Sequence, residues 1–164
     1  MIQKVYKTTE IQTVEKLAHK IWNDHYSPII GQNQVDFMLE KFQSFNAINE
    51  QIKNGYEYFL ISEHNKPIGY LCLLEDNATK KIMISKIYID LNKRGAGFGN
   101  KLIDFTKKLA QKRKINTIWL TVNKNNSNSI KWYKKLNFKI TKEVVMDIGN
   151  GYVMDDYVME LKLD

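Results

Sequence analysis

Arg94-Gly95-Ala96-Gly97-Phe98-Gly99 stands between an apolar run ending in Ile87-Tyr88-Ile89 and a helical series that begins near Asn100. Three of the chain's eight glycines fall within five residues here. Glycine permits a tight turn and leaves backbone N–H groups unshielded. The start of a helix adds further free N–H groups and a positive dipole end, so a strand–turn–helix junction of this kind suits a pyrophosphate. The spacing is Arg-x-x-Gly-x-Gly. It lacks the terminal Gly-Lys-Ser/Thr of a Walker loop and falls short of a full GxGxxG. Arg94 and Arg113 are the only arginines beside 23 lysines. In so lysine-biased a chain, an arginine next to the glycines points to use of its planar fork on phosphate. A plain glycine-rich turn is the competing reading.

Outward from this junction the hydrophobic spacing alternates between two periods. Upstream, Ile11, Val14, Leu17, Ala18, Ile21 and Trp22 predict a helix over about Thr9 to His25, interrupted by Ser27-Pro28. Val35, Met38, Leu39 and Phe42 begin a second helical region, which Ile48 and Ile52 extend to a stop at Asn54-Gly55. Tyr56 to Ser62 and Ile68 to Leu74 read as strands joined by a turn at 63–67, and Ile82 to Ile89 as a third. Downstream come a helix through Leu102, Ile103, Phe105, Leu109 and Ala110, a strand over Thr117 to Val122 and a short helix over Ser127 to Leu136. Two last strands flank Gly149-Asn150-Gly151, and Gln3 to Tyr6 is a weak first strand. The order combines an antiparallel meander with strand–helix–strand crossovers. It predicts an α/β class in the α+β sense, a mixed sheet covered by helices.

The chain has 164 residues, 43% of them apolar and 12% aromatic, enough for one well-filled domain over 1–164. Its single cysteine, Cys72, cannot form an internal disulfide, and with three histidines it makes a poor metal inventory, so no metal is expected. No run approaches the ~20 apolar residues of a membrane span, and the opening MIQKVYKTTE has no signal-peptide core. A soluble cytoplasmic protein without a membrane partner is expected. The net charge of +7 is uneven: between Asn92 and Lys142 there are 14 Lys and Arg against one acid, Asp104, a net +13, and the remainder carries −6. A basic half beside an acidic half suggests an anionic ligand on one side and a cationic one on the other. Solvated lysine-rich helix faces would produce the same count.

The junction and a second motif downstream, Leu120-x-Val122-x-x-x-Asn126-x-x-Ser129-x-x-x-Tyr133-x-x-x-Asn137-Phe138, resemble the two motifs of the GNAT superfamily of N-acetyltransferases. Ser129 stands where that pattern usually has alanine, and Asn137 where it has glycine. Asn tolerates the left-handed conformation that glycine adopts after a helix. The stretches Trp22 to Gly31 and Gly151 to Met159 are similar to the bacterial diamine and polyamine acetyltransferase branch.

The resemblance implies a GNAT-like fold: a central, mostly antiparallel sheet splayed into a V at the cofactor site and flanked by helices. It also implies acetyl-CoA as co-substrate, lying between the strand ending near Ile89 and the strand ending near Val122. Its pantetheine arm would pair with Ile87, Tyr88 and Ile89, and its pyrophosphate would meet Arg94, Gly95, Ala96, Gly97, Phe98, Gly99 and Asn100. Tyr133 matches the family tyrosine at the CoA sulfur and is assigned as general acid; packing in the core is its alternative. Asn126 holds the pantetheine arm or caps a helix. A protonated amine must lose a proton before it attacks, and the sequence leaves the base open among Glu75, His25, Tyr26 and Asp155. At strand spacing the face of Asp155 reads Val153, Asp155, Tyr157, Met159, Leu161, and a carboxylate on an otherwise apolar face is costly unless paired or functional.

The expected reaction is transfer of acetyl from acetyl-CoA to a small cationic amine of the polyamine kind, with His25, Tyr26 and Asp155 on the acceptor side. Acetylation of a protein N-terminus or lysine is the alternative within the class, and a non-catalytic acyl-CoA sensor is a second class. A nucleic-acid partner is not expected, because the glycines concentrate at one strand–helix junction instead of bases spreading with aromatics over a face. Homodimer formation is an open option.

Overall fold

A computed structural model describes all 164 residues, Met1–Asp164. The chain gathers into two compact units, one of Met1–Leu74 with Ser85–Thr106 and the other of Glu75–Ile84 with Lys107–Asp164. The strands are β1 (Ile2–Lys4), β2 (Glu57–Glu63), β3 (Lys66–Asp76), β4 (Lys81–Ile89), β5 (Thr117–Asn123), β6 (Lys139–Gly149) and β7 (Tyr152–Lys162), in the order β1-β2-β3-β4-β5-β7-β6. β4 and β5 run parallel; β1–β2, β2–β3, β5–β7 and β6–β7 are antiparallel. The helices are α1 (Thr8–His25), α2 (Ser27–Ile30), α3 (Gln32–Phe42), α4 (Phe45–Lys53), α5 (Phe98–Lys112) and α6 (Ser127–Lys135). No helix is long and apolar enough to cross a membrane.

In the first unit α1 follows its sequence pattern, burying Ile11, Val14, Leu17, Ala18, Ile21 and Trp22 on one face. Its start is held by Glu10, whose carboxylate accepts the N–H groups of Tyr6 (2.9 Å) and Lys7 (2.8 Å). These bonds to the charged form hold the Glu10 carboxyl below its ordinary range. The helical region expected to run from Val35 to Ile52 is instead two helices. Ser44 has extended backbone and its hydroxyl accepts the Ala47 N–H at 3.2 Å, starting α4 afresh. The β2–β3 hairpin turns at His64-Asn65, both left-handed, with φ of 49° and 64°, the backbone a two-residue turn demands. Gly69 on β3 is a close approach: a Cβ there would lie 2.5 Å from the Tyr88 carbonyl oxygen and 2.6 Å from Ile89 Cδ1.

In the second unit β7 pairs with β5 from Thr117↔Lys162 to Asn123↔Asp156 and with β6 on its other side. β6 is the sheet edge, and Ile148 is its one buried residue. Just past helix α6 and its cap Leu136 comes Asn137, left-handed with φ 71°, the conformation expected of an asparagine in the place of glycine.

Candidate functional site

The first unit brings the end of β4 and the glycine turn together. After Ile89, the Asp90 N–H donates to the Ile68 carbonyl (2.8 Å) and a single 3-10 turn, Leu91–Lys93, leads to Arg94. Gly95 and Gly97 have φ of 79° and 87°, and a Cβ at either would meet nothing within 4 Å. These two positions need glycine for their backbone, and the space beside them is open. Arg94 to Gly97 are exposed, and α5 begins directly after them at Phe98. The turn therefore offers backbone at a helix start together with a guanidinium, a donor set that fits a phosphate.

His25, Tyr26 and Tyr88 cluster around the same place. The Arg94 guanidinium donates to Nδ1 of His25 at 3.3 Å and to the Ile89 carbonyl at 3.4 Å. Guanidinium only donates, so Nδ1 accepts and this ring nitrogen carries no proton. The His25 ring meets Tyr26 edge-on at 4.6 Å, and Tyr26 and Tyr88 both pack on Trp22, at 4.4 and 5.6 Å between centroids. Lys20 of α1 pairs with Asp90 at 2.6 Å, fixing α1 to the segment that follows β4. The acceptor-side expectation for His25 and Tyr26 and the cofactor expectation for Tyr88 and Arg94 thus fall on one contiguous set of side chains.

A buried cation lies deeper in this unit. Lys86 of β4 is 5% exposed, and its ammonium donates to the Phe42 carbonyl, to Gln51 Oε1 (3.0 Å) and to the Tyr58 hydroxyl. Burial lowers its pKa to about 8 and pushes the neighbouring Cys72 thiol up to about 12, so Cys72 stays a protonated, unreactive thiol.

In the second unit Asn126 is the N-cap of α6, with its side-chain oxygen accepting the Ser129 N–H at 3.4 Å. Tyr133 is 7% exposed, and its ring packs against Phe138 (5.6 Å) and Trp132 (5.0 Å). Glu75 accepts from the Arg113 guanidinium at 3.1 Å, so the second of the chain's two arginines holds a proposed base.

The apolar surroundings expected for Asp155 are not found. Asp155 is exposed and pairs with Lys124 at 2.9 Å, and Lys124 also reaches Glu143 at 3.1 Å. The buried carboxylate is its neighbour Asp156, 1% exposed, whose Oδ1 has no hydrogen-bond partner. Burial, with some help from Asp155, raises its pKa to about 6 against the opposing hydrogen bond from Thr121. Met159 and Leu161, on the same alternate face as Asp155, are buried, but that face is exposed at Val153 and Asp155. Val158 and Met159 are both buried, so β7 is covered on both faces there and alternation alone does not pick one. The pairing of two adjacent acids was the available signal, and Lys86 gave none beyond a lysine inside an apolar run.

Residues 15–138 match the acetyltransferase (GNAT) family. Over 93 residues the chain is 28% identical to the peptidyl-lysine N-acetyltransferase YjaB of Salmonella typhimurium, covering 56% of this chain and 57% of that protein. Over 81 residues it is 28% identical to a probable spermine N(1)-acetyltransferase of Bacillus subtilis subsp. natto, covering 49% and 52%. The chain thus spans about half the length of these curated relatives. The PaiA N-acetyltransferase of Thermoplasma acidophilum, solved in complex with coenzyme A, superposes with a TM-score of 0.79 over 99% of both chains at 18% identity, a likeness of fold.

Proposed function

Since the chain belongs to the acetyltransferase (GNAT) family, we propose that residues 1–164 act as one N-acetyltransferase domain that moves the acetyl group of acetyl-CoA to a primary amine. The observation that carries the reading is the turn after β4, where left-handed Gly95 and Gly97 leave open space beside Arg94 at the start of α5. A diphosphate fits this donor set, and the Ile87–Ile89 backbone would take the pantetheine arm as an added strand. Tyr133 is assigned the proton delivered to the departing thiolate, with the Asn126 cap holding its helix in register. The solved relative bound to coenzyme A supports the cofactor, and a lone buried cysteine suits a reducing cytoplasm.

For the acceptor we favour a small polycation. The spermine acetyltransferase likeness supports it, and so does the Lys124–Asp155 pair: an exposed carboxylate that already holds one ammonium can exchange it for another. His25 and Tyr26 belong to the acceptor side in this reading. The peptidyl-lysine acetyltransferase likeness favours a second reading, a protein lysine, which presents the same primary ammonium. Release of free thiol from acetyl-CoA with spermidine, a lysine peptide and a peptide N-terminus decides between them. Activity on spermidine is expected; activity on peptides alone moves the acceptor to protein, and none on any acceptor removes the transferase reading.

A further inference from the structure

Every transfer from acetyl-CoA to a protonated amine must dispose of a proton before the nitrogen lone pair can attack. The carboxylates first considered for this are poorly placed for it. Glu75 is already engaged by Arg113 and Asp155 by Lys124. Asp156 is the one buried carboxylate in the chain. It sits on β7 opposite Asn123, the last residue of β5, and opposite Val144 of β6. Neither neighbour brings a charge. The only hydrogen bond to the carboxyl comes from the neutral Thr121 hydroxyl, and Oδ1 has no partner. A buried carboxylate oxygen left without a donor is costly, and such an atom in a native fold calls for an explanation. A ligand ammonium, with three donors on a point charge, supplies the missing one.

We infer that Asp156 is the general base of the acetyl transfer, accepting a proton from the acceptor ammonium through its unpartnered Oδ1. This inference rests on the N-acetyltransferase reading and adds to it the base that the sequence left open. The ammonium gives one proton to Asp156, which passes it to solvent after turnover. The neutral nitrogen forms the C–N bond to the thioester carbonyl, and the C–S bond breaks as the tetrahedral intermediate collapses. The sulfur takes the Tyr133 hydroxyl proton, and the second proton shed by nitrogen restores Tyr133. The charges around Asp156 in this unit are the adjacent Asp155, its partner Lys124, and Glu143 beyond Lys124. Burial raises the pKa of Asp156, with a smaller push from Asp155, to about 6, so the group is ionised at neutral pH and still close enough to it to take up a proton.

The test is the pH profile of kcat and KM, from pH 6 to 10, for wild type and Asp156→Asn with whichever acceptor the wild type turns over. At pH 7 Asp156→Asn should lower kcat by ~10²–10⁴-fold, with acetyl-CoA affinity by calorimetry unchanged. The deficit should shrink toward pH 10, where the acceptor amine loses its proton to solvent unaided. A kcat within about threefold of wild type at pH 7, or an equal loss at every pH, overturns the assignment. Thr121→Val is the second arm, needed if Asp156→Asn does not fold. Removing the hydroxyl that lowers the carboxyl's pKa should move the acid limb of the profile upward, and an unmoved limb counts against Asp156. A wild type inert toward all acceptors overturns the transferase reading and this inference with it, whereas an active wild type with an unaffected Asp156→Asn overturns this inference alone.

Discussion

The Arg94 guanidinium rests 3.3 Å from Nδ1 of His25, a residue 69 positions earlier in the chain, and donates to it. The fork proposed to hold the pyrophosphate is therefore already oriented by the C-terminal end of α1. Arg94→Lys keeps the charge and loses the planar pair of donors, so acetyl-CoA affinity measured by calorimetry should fall about tenfold or more. His25→Ala removes one orienting contact worth about 0.5 kcal/mol and should weaken binding only about two- to threefold. Equal affinity for wild type and Arg94→Lys would take Arg94 out of the phosphate site.

Lys86 makes the stability of the fold depend on alkaline pH. Its folded pKa of about 8 lies below its ordinary 10.5. Between these values the unfolded chain binds a proton that the folded chain does not, so stability rises as pH goes from 8 to 10.5. The gain approaches roughly 3 kcal/mol at the top of that window. Denaturant unfolding of wild type and Lys86→Met should show the wild type gaining on the variant as pH rises from 7.5 to 10. A constant difference between them would show that Lys86 titrates normally.

Tyr133→Phe tests the proposed acid. The ring that packs on Phe138 is retained, so folding and acetyl-CoA binding should hold while kcat falls ~10²–10⁴-fold. A kcat equal to wild type, with chemistry shown to limit turnover, removes Tyr133 from the reaction.

Asn137 carries a left-handed backbone, φ 71°, at the end of α6. Asn137→Ala should lower stability by about 1 kcal/mol, since a Cβ without a compensating polar group is strained in that region. Thermal unfolding of Asn137→Ala beside Asn137→Gly separates backbone strain from loss of the side chain: the glycine variant should stay near wild type.

The strands, the hairpin at His64-Asn65, the glycine turn and the asparagine at the end of α6 were legible because each is dictated by local chemistry: alternation, left-handed turn residues, a helix start. The break between α3 and α4 was not. Helical spacing carries on from Phe42 to Ile48, and only the local cap at Ser44 separates the two helices. The exposure of Asp155 was not legible because its face is covered at Met159 and Leu161 and open at Val153, and a period of two does not show where the cover ends. The His25–Arg94 contact and the buried ammonium of Lys86 depend on residues dozens of positions apart meeting in space. A lysine in a strand reads as solvent-facing until Gln51, Tyr58 and the Phe42 carbonyl are seen around it.

Gly69 carries a consequence for heredity. It lies on β3 and is itself assigned to no ligand, yet any side chain there collides with the Tyr88 carbonyl and Ile89 Cδ1. Tyr88 and Ile89 belong to the stretch assigned to the pantetheine arm. A random-mutagenesis screen for lost acetyltransferase activity would therefore recover Gly69 alleles among those of the cofactor turn. Their phenotype would be that of a cofactor defect, although the altered codon specifies a residue that meets no ligand.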